Sequence, residues 1–338
     1  MLPPPAGVLK LDQNEVPIPP PSHVVEAAAQ ALAAANWYQP AALYDEVRQL
    51  YAEYAGVDPQ YVWLFPGADN FFEPLLRSVK AVAAPSPTYF LFEDQAQFHG
   101  AALIKAPLRG EDFRLDLAEF LDAAKKADAV YIDNPNNPTG QLLVKPSEVE
   151  EVLSLGKPTV VDEAYFEFSG VTAAALVEAW PNLAVVRTLS KAFLLAGFRV
   201  TPVIAGRGWR IHYNTVRFRV SLPSLAAARA ALYKRDYVEE VVRQIGEGAR
   251  YLAEELPKLG VRVWPTRANF VLVRGPPGFA QTLRKYGVWV RDEEQRLGPG
   301  FARITVGTRE INAQLVRTIK TVFATQRSQP SASSAFSS

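Results

Sequence analysis

The sequence predicts an α/β protein with a three-layer α-β-α large domain, built on a mainly parallel sheet, and a smaller α+β domain. Two observations lead to this prediction. Short apolar runs alternate with helical stretches from Tyr61 to Gly206, and this alternation is typical of a doubly wound sheet. The chain has 338 residues and is 49% hydrophobic, so it can bury a large core and divide into two domains.

The N-terminal residues predict an extended arm followed by helices. Pro17–Pro21 supply few backbone donors, so the chain up to this point is expected to be extended. Ser22 is the predicted N-cap of an Ala-rich helix that reaches about Ala35, and Gly56 is expected to end the helix after it. We expect residues 1–35 to pack with the smaller domain.

The large domain is predicted to span residues 36–237. Its strand candidates are the runs YVWLF, KAVAAP, AVYID, PTVVD, LAVVRTLS and VTPVIAG. In doubly wound sheets, ligands bind beyond the carboxyl ends of the parallel strands. Polar residues directly after these runs are therefore candidates for a functional site.

The smaller domain is predicted to span residues 238–325. A long amphipathic helix runs from after Lys234 to about Leu259, and a closing helix begins near Glu310. Between them lie the strand candidates VRVWP, NFVLVR, GVWVRD and FARITVG. Residues 326–338 are rich in Ser and Ala with little apolar content, which predicts a disordered tail.

Composition excludes several classes of function. The 36 Lys and Arg residues nearly balance the 35 Asp and Glu residues, so no broad basic surface indicates binding to nucleic acid or to an anionic membrane. There is no Cys, and the three His residues are scattered, which argues against a metal site. The chain shows neither a signal peptide nor an apolar stretch of membrane-spanning length. We therefore expect a cytoplasmic protein that binds small molecules.

Three consecutive strand ends carry polar side chains. Asn137 lies in NPNNPTG after AVYID, the run PTVVD ends in Asp162 with Tyr165 three residues later, and Lys191 follows LAVV with Arg199 eight residues later. Each motif alone has an ordinary explanation, as turn residues, a helix N-cap or a solvated lysine. Together they predict an amine, a carboxylate and anion-binding groups at one edge of the sheet.

These motifs resemble those of the fold type I aminotransferases, and within them the histidinol-phosphate aminotransferase group. The resemblance rests on NPNNPTG, VVDEAYFEF and RTLSKAFLLAGFR and covers about residues 8–324. It implies the fold of these enzymes, the cofactor pyridoxal 5'-phosphate, amino and keto substrates, and a homodimer with shared active sites. Pyridoxal phosphate acts as an electron sink for charge that develops at the substrate Cα.

The resemblance also implies roles for individual residues. Lys191 would hold the cofactor as a Schiff base and then act as the general base that moves the Cα proton. Asp162 would keep the pyridine nitrogen protonated through an opposite-charge pair. Asn137 and Tyr165 would hydrogen-bond the phenolic oxygen, and Tyr89 would stack on the ring.

The cofactor phosphate is assigned to a loop that precedes a helix and to two residues near the lysine. Backbone N–H groups at a helix N-terminus suit an anion, although a tight turn and an N-cap would give the loop the same sequence. The implied phosphate-binding residues are Gly67, Ala68, Asp69, Ser190 and Arg199. Tyr38, in NWYQP, resembles the tyrosine that reaches the phosphate of the other subunit, with Trp37-Tyr38-Gln39-Pro40 in place of the usual Arg-Tyr-Pro.

Substrate binding is assigned by resemblance to Asn14, Asn137, Arg291 and Arg303. The segment 14–19 reads Asn-Glu-Val-Pro-Ile-Pro, whereas the histidinol-phosphate group has Asn-Glu-Asn-Pro-Tyr-Gly, so the tyrosine that contacts substrate is missing. The substrate pair therefore stays open between histidinol phosphate with 2-oxoglutarate, another amino acid of aromatic or aspartate type, and threonine phosphate in a decarboxylation. A non-enzymatic sensor is disfavoured, since only about 20 residues precede the first helix, too few for a DNA-binding domain.

Overall fold

The apolar runs between Tyr61 and Gly206 form strands of one sheet in the computed structural model, which describes residues 4–328. Strands alternate with helices along this part of the chain. The strands are β1 (Leu9–Leu11), β2 (Val62–Phe65), β3 (Ala81–Ser86), β4 (Ala102–Pro107), β5 (Ala129–Asp133), β6 (Thr159–Asp162), β7 (Leu183–Val186), β8 (Thr201–Ala205), β9 (Arg262–Val263), β10 (Phe270–Arg274), β11 (Val288–Asp292) and β12 (Phe301–Thr305).

Helices precede, follow and connect these strands. They are α1 (Ser22–Leu32), α2 (Ala41–Ala55), α3 (Asp69–Ser78), α4 (Phe90–His99), α5 (Leu117–Lys126), α6 (Pro146–Leu153), α7 (Phe166–Ser169), α8 (Tyr213–Arg217), α9 (Leu222–Tyr233), α10 (Tyr237–Glu255), α11 (Phe279–Lys285), α12 (Glu294–Leu297) and α13 (Arg309–Ser328). Gly56 ends α2 in the left-handed conformation with φ 67°, as the sequence predicted.

The larger sheet has seven strands in the order β2-β8-β7-β6-β5-β3-β4. Neighbours from β7 to β4 are parallel, and β8 is antiparallel to both β7 and β2. The mainly parallel α/β sheet is thus confirmed. The edge strand β4 was not predicted, because most of its residues are exposed or only partly buried and Lys105 interrupts its apolar pattern.

The smaller sheet has five strands in the order β1-β11-β12-β10-β9. β1 is parallel to β11, and the other neighbours are antiparallel. The apolar faces of α10 and α13 form one core with this sheet, with Leu252, Ile304 and Leu315 fully buried. The helix expected to reach Leu259 ends earlier, at Glu255, and a 3₁₀ turn follows at Pro257–Leu259.

The N-terminal region divides between the two sheets. β1 pairs with β11 of the smaller sheet, but α1 packs on α9 and places Val24 and Ala28 in the core of the larger sheet. The expectation that all of residues 1–35 pack with the smaller unit is therefore wrong for α1. Small side chains let this helix approach the Ala-rich α9 closely. Pro21, not Ser22, is the N-cap residue, and no side chain caps the helix.

The C-terminal helix continues past the expected start of the tail. α13 includes residues 326–328, where a disordered tail was predicted, and residues 329–338 of that tail lie outside the described part of the chain. Within residues 4–328, no helix is long and apolar enough to cross a membrane.

Strand register places polar side chains together at one edge of the larger sheet. Asp133 and Asp162 are paired neighbours at the ends of β5 and β6, and Val186 stands beside Asp162 at the end of β7. In the smaller sheet, Arg291 and Arg303 are opposite each other on β11 and β12. The loops that follow these strands meet in a single cavity.

Candidate active site

A cavity of about 580 Å³ lies between the carboxyl ends of the larger sheet's parallel strands, the smaller sheet and the N-terminal arm. It contains most of the residues that the sequence assigned to a site. Those that line it are Asn14, Ala68, Asp69, Tyr89, Asn137, Asp162, Tyr165, Ser190, Lys191, Arg199, Arg291 and Arg303. Ligands of drug-like size occupy clefts of about 300–1,000 Å³, so the cavity can hold a cofactor with a substrate.

Lys191 follows β7 and carries the amine of the cavity. Its Nζ donates a hydrogen bond of 3.2 Å to the main-chain oxygen of Gln13 in the arm. Desolvation, with the charges of Arg303 and Arg199, lowers the pKa of Lys191 to about 7. A neutral amine is the nucleophilic and basic form, so this environment makes the neutral form of Lys191 accessible near neutral pH.

Asp162, the last residue of β6, supplies a buried carboxylate. The Tyr131 hydroxyl donates to its Oδ2 at 2.9 Å, and the Ala164 N–H donates to its Oδ1 at 3.0 Å. Burial raises the pKa of Asp162 to about 6, and these two donors oppose that effect. A cationic partner in the cavity would stabilise the ionised form further.

Asn137 and Tyr165 lie beside each other, as their place after adjacent strands predicts. The Asn137 amide donates to the Tyr165 hydroxyl at 3.4 Å, and the Asn14 amide donates to the same oxygen at 2.8 Å. Burial raises the pKa of Tyr165 to about 12, with Arg303 opposing the effect. Tyr165 is therefore a protonated hydroxyl that can donate a hydrogen bond into the cavity.

An anion-binding cup forms where α3 begins. Gly67 has φ 102°, and a Cβ at this position would collide with Nη2 of Arg199. The Arg199 guanidinium lies 3.4 Å from Asp69, the first residue of α3. Ser190 Oγ is buried without a hydrogen-bond partner among the described residues. The cup thus combines a cation, a free hydroxyl and the N-terminus of a ten-residue helix.

Two arginines of the smaller sheet face the cup from the other side of the cavity. Arg303 is 3% exposed and donates through Nη1 to Asn137 Oδ1 and through Nη2 to the Asp12 main-chain oxygen at 2.8 Å. Its Nε has no partner within residues 4–328. Arg291 stacks on Phe90, with 3.8 Å between Cζ and the ring centroid.

The arrangement matches known proteins. A sequence model of the family described as aminotransferase class I and II matches residues 6–319. The chain belongs to this family. The histidinol-phosphate aminotransferase of Sulfurisphaera tokodaii is 36% identical over 316 residues, covering 89% of this chain and 87% of that one. That of Thermococcus gammatolerans is 34% identical over 319 residues, covering 93% and 92%.

A solved structure agrees with this assignment. The histidinol-phosphate aminotransferase of Sinorhizobium meliloti in complex with pyridoxal-5'-phosphate has a TM-score of 0.82 and 25% identity, with 94% of this chain and 91% of that one covered. The cofactor of this aminotransferase is therefore pyridoxal phosphate. The residues of this chain fit the cofactor. Ser190 Oγ is a buried donor with no partner in the described part of the chain, Gly67 leaves room for a close backbone approach, and Asp162 and Lys191 line the same cavity.

Two assigned residues of the aminotransferase, Tyr38 and Gly67, do not line its own cavity. Tyr38 is 81% exposed and packs edge-on against Phe218, with ring centroids 5.3 Å apart. Gly67 also does not line the cavity, but it contacts Arg199, which does.

The unpredicted features of the site include the main chain of the arm and the carboxylate of Asp133. Main-chain oxygens of Asp12 and Gln13 accept hydrogen bonds from Arg303 and Lys191. No sequence signal reveals such contacts, because any residue type offers the same carbonyl. Asp133 also lines the cavity. It could have been found, since it is the polar last residue of the run AVYID.

The lowered pKa of Lys191 has a testable consequence in the aminotransferase freed of cofactor. A group with its pKa lowered to about 7 is protonated below that pH and neutral above it. Labelling of Lys191 by an amine-acylating reagent should rise within about one pH unit on either side of 7 and then level off. Peptide mass spectrometry across pH, with free N-acetyl-lysine as the reference, measures this. Labelling that follows the reference at every pH would contradict the assigned environment.

Proposed function

We propose that the chain transfers an amino group from histidinol phosphate to 2-oxoglutarate, giving imidazole acetol phosphate and glutamate. The observation that carries this proposal is the pair Arg291 and Arg303, opposite each other on neighbouring strands and both lining the cavity. A guanidinium binds phosphate or carboxylate with two parallel hydrogen bonds. The pair therefore suits a phosphorylated amine in one half-reaction and a dicarboxylate in the other. The related proteins described above are histidinol-phosphate aminotransferases, which supports the same choice.

Each residue of the cavity has a defined task in this reaction. Pyridoxal phosphate, when bound, withdraws electrons from the substrate Cα. Lys191 would bind the cofactor through Nζ and, once released, carry the proton from Cα. Asp162 would hold a proton on the ring nitrogen, and Asn137 with Tyr165 would donate hydrogen bonds to the phenolic oxygen. The cup of Gly67, Ala68, Asp69, Ser190 and Arg199 would bind the phosphate, and Tyr89 would stack on the ring.

The N-terminal arm would close the cavity over the substrate. Asn14 adopts the left-handed conformation with φ 55°, and its main chain bonds to Thr305 and Asn269. This fixes its amide against Tyr165. Because both the N–H and the carbonyl oxygen of Asn14 are hydrogen-bonded, the arm would stay in place over the cavity and exclude water from the reacting atoms. The proposed substrate contact of Asn14 follows from this position.

Half-reactions with single substrates test the assignment. The holoenzyme is mixed with histidinol phosphate, glutamate, aspartate, an aromatic amino acid or threonine phosphate, and cofactor absorbance is followed. Histidinol phosphate and glutamate should each convert the aldehyde form of the cofactor to the amine form. A spectrum unchanged by histidinol phosphate excludes this substrate. Release of carbon dioxide from threonine phosphate without the amine form would identify a decarboxylase.

Arg303→Lys is expected to weaken substrate binding. Lys keeps the charge but cannot form two parallel hydrogen bonds. Losing one charge-assisted bond costs about 1.5–3 kcal/mol, so KM for both substrates should rise roughly 10–100-fold with a smaller change in kcat. Steady-state kinetics of both half-reactions measure this. Arg274→Lys, on β10 outside the cavity, is the control. Equal KM values for Arg303→Lys and the unaltered enzyme would remove Arg303 from the substrate site.

We further propose a homodimer in which Tyr38 reaches the cofactor phosphate of the partner subunit, in a cytoplasmic enzyme. Tyr38 is 81% exposed and packs against Phe218, which is also exposed, and its chain neighbour Trp37 is 72% exposed. Clustered aromatic side chains of this kind are typical of protein interfaces. Because Tyr38 does not line its own chain's cavity, a role at the phosphate needs a second copy of the chain.

Tyr38→Phe tests the shared site. Removing one neutral donor costs about 1 kcal/mol, so the dissociation constant for pyridoxal phosphate should rise about fivefold while kcat at saturating cofactor changes little. Titration of the cofactor-free protein, followed by absorbance, measures this. Tyr233→Phe alters another exposed tyrosine, whose hydroxyl bonds to Glu46, and serves as the control. Sedimentation must show the mass of two 37.2 kDa chains. Unchanged affinity in an intact dimer would refute the contact.

A further inference from the structure

Asp133 is a second buried carboxylate of the cavity that none of the roles above uses. It ends β5, is 2% exposed, and stands beside Asp162 in the sheet. Three donors converge on it. The Thr88 hydroxyl and the Asn136 amide donate to Oδ1 at 2.7 and 3.0 Å, and the Asn137 N–H donates to Oδ2 at 2.8 Å.

The three donors belong to the two loops that bring Tyr89 and Asn137 to the cavity. Thr88 directly precedes Tyr89, the residue assigned to the cofactor ring. Asn136 directly precedes Asn137, and the Asn137 main chain is itself one of the donors. Thr88 lies 45 residues before Asp133 in the sequence, and Asn137 lies 4 residues after it. Asp133 therefore joins two loops that are about 50 residues apart.

Only a carboxylate satisfies this arrangement. An ionised Asp accepts hydrogen bonds on both oxygens, whereas an Asn accepts on one oxygen and presents donors at the other position. The carboxylate is retained at a cost, because burial raises the pKa of Asp133 to about 7 and the charge of Asp162 acts in the same direction. The three donors oppose this effect. A neutral residue would avoid the free-energy cost of burying a charge. It would, however, leave at least one of the donors that now bind Oδ1 or Oδ2 without an acceptor.

Thr88 is also held from the smaller sheet. Its main-chain oxygen accepts a hydrogen bond from Nη2 of Arg296, which also contacts Glu93 at 2.7 Å. Nη1 of Arg296 binds Glu293 at 3.1 Å. Arg296 lies in α12, between the strands that carry Arg291 and Arg303. The Thr88 hydroxyl and carbonyl thus connect the floor of the cavity to the unit that carries the anion-binding arginines.

We propose that Asp133 is a positioning residue: through Thr88 and the Asn137 main chain it holds the Tyr89 ring and the Asn137 amide in place for pyridoxal phosphate. Asp133 acts through these two residues and takes no proton from the substrate. The proposal concerns the cofactor site alone, so it holds whichever amino donor the enzyme uses.

Asp133→Asn in the holoenzyme is the main test. Peptides covering 86–90 and 134–140 should exchange amide hydrogens faster, because two loops lose their common acceptor. The cofactor dissociation constant should rise about tenfold. The pH midpoint of the cofactor absorbance should shift, since Asn137 is placed at the phenolic oxygen. With the amino donor, kcat should fall while KM changes little.

Two further variants make the test specific. Asp128→Asn alters the carboxylate just before the same strand, which accepts N–H bonds from Lys80 and Ala81 but lies at the other end of the sheet. It should leave all four readouts unchanged. Thr88→Val removes one donor without adding bulk, so faster exchange should appear in 86–90 and not in 134–140, with weaker cofactor binding.

The outcomes decide between positioning and a merely structural role. A folded Asp133→Asn enzyme that loses thermal stability but keeps the absorbance midpoint and the cofactor affinity overturns the proposal. If this variant does not fold, Thr88→Val decides, and unchanged exchange in 86–90 with unchanged cofactor affinity overturns it. Failure of histidinol phosphate as a substrate leaves these readouts unaffected, so the two proposals fail separately.

Discussion

Lys191→Ala is expected to lower turnover roughly 10³–10⁴-fold, the upper range for loss of a positioned general base. The side chain is expected both to hold the cofactor and to move the Cα proton, and no other lysine lines the cavity formed by residues 4–328. Binding of pyridoxal phosphate should persist at lower affinity, because the cup around Arg199 and Ser190 does not depend on Nζ. Single-turnover kinetics with a saturating amino donor measure the loss.

Three further experiments separate the chemistry of Lys191 from its packing. Borohydride reduction should fix the cofactor to a peptide containing Lys191 in the unaltered enzyme and to no peptide in the Ala variant. Lys285→Ala, at the exposed end of α11, should keep full activity. Small primary amines in solution should restore part of the turnover of Lys191→Ala, since they can carry the proton through the space left by the side chain. Full activity without added amine would disprove the assignment.

The site residues could be predicted where apolar runs end in polar residues. Asp162 ends a run that forms a buried strand, Asn137 and Lys191 follow two others, and parallel neighbours in register must bring such ends together. Hydrophobic periodicity does not predict α9, because nearly all of its residues are apolar and no single face of the helix stands out. The helix exists because α1 and α2 pack on it, and this is a tertiary cause.

The detailed contacts within the site could not be predicted from the sequence. Arg303 and Lys191 are held by main-chain oxygens of the arm, and the path of the arm depends on the pairing of β1 with β11. A three-residue strand carries too little pattern to predict that pairing. The sharing of donors between Asp133 and its loops likewise appears only once the chain is folded, although the residue stands at a predicted strand end.

The two neighbouring carboxylates of the cavity, Asp133 and Asp162, differ in their hydrogen-bond partners. Asp133 accepts three hydrogen bonds, and all three come from the two loops that it joins, so it serves the loops. Asp162 accepts one hydrogen bond on each oxygen, from Tyr131 and Ala164, and a carboxylate oxygen can accept two. Asp162 therefore has capacity left for a cationic group in the cavity, which is the requirement for pairing with a protonated ring nitrogen.

Asp162→Asn is accordingly expected to lower kcat roughly 10²–10³-fold, a loss similar to that of one aligned electrostatic group in other enzymes. Asn has nearly the same shape but no charge, so it does not favour the proton on the ring nitrogen. Burial raises the pKa of Asp162 to about 6 in the protein without cofactor, and a cation in the cavity lowers it. The unaltered holoenzyme should therefore keep the ion pair at about pH 6 and above, and activity should fall only at lower pH, where the carboxylate is protonated. Stopped-flow half-reactions across pH measure both effects.

A charged cofactor analogue distinguishes loss of charge from loss of shape. Pyridoxal phosphate methylated at the ring nitrogen carries a fixed positive charge, which makes the proton held by Asp162 unnecessary. Reconstituted with it, Asp162→Asn should recover a large part of its deficit relative to the unaltered enzyme with the same analogue. Asp122→Asn, on the exposed face of α5, should show no deficit to recover. If the analogue leaves the deficit of Asp162→Asn unchanged, the carboxylate acts by orienting the ring and not by its charge.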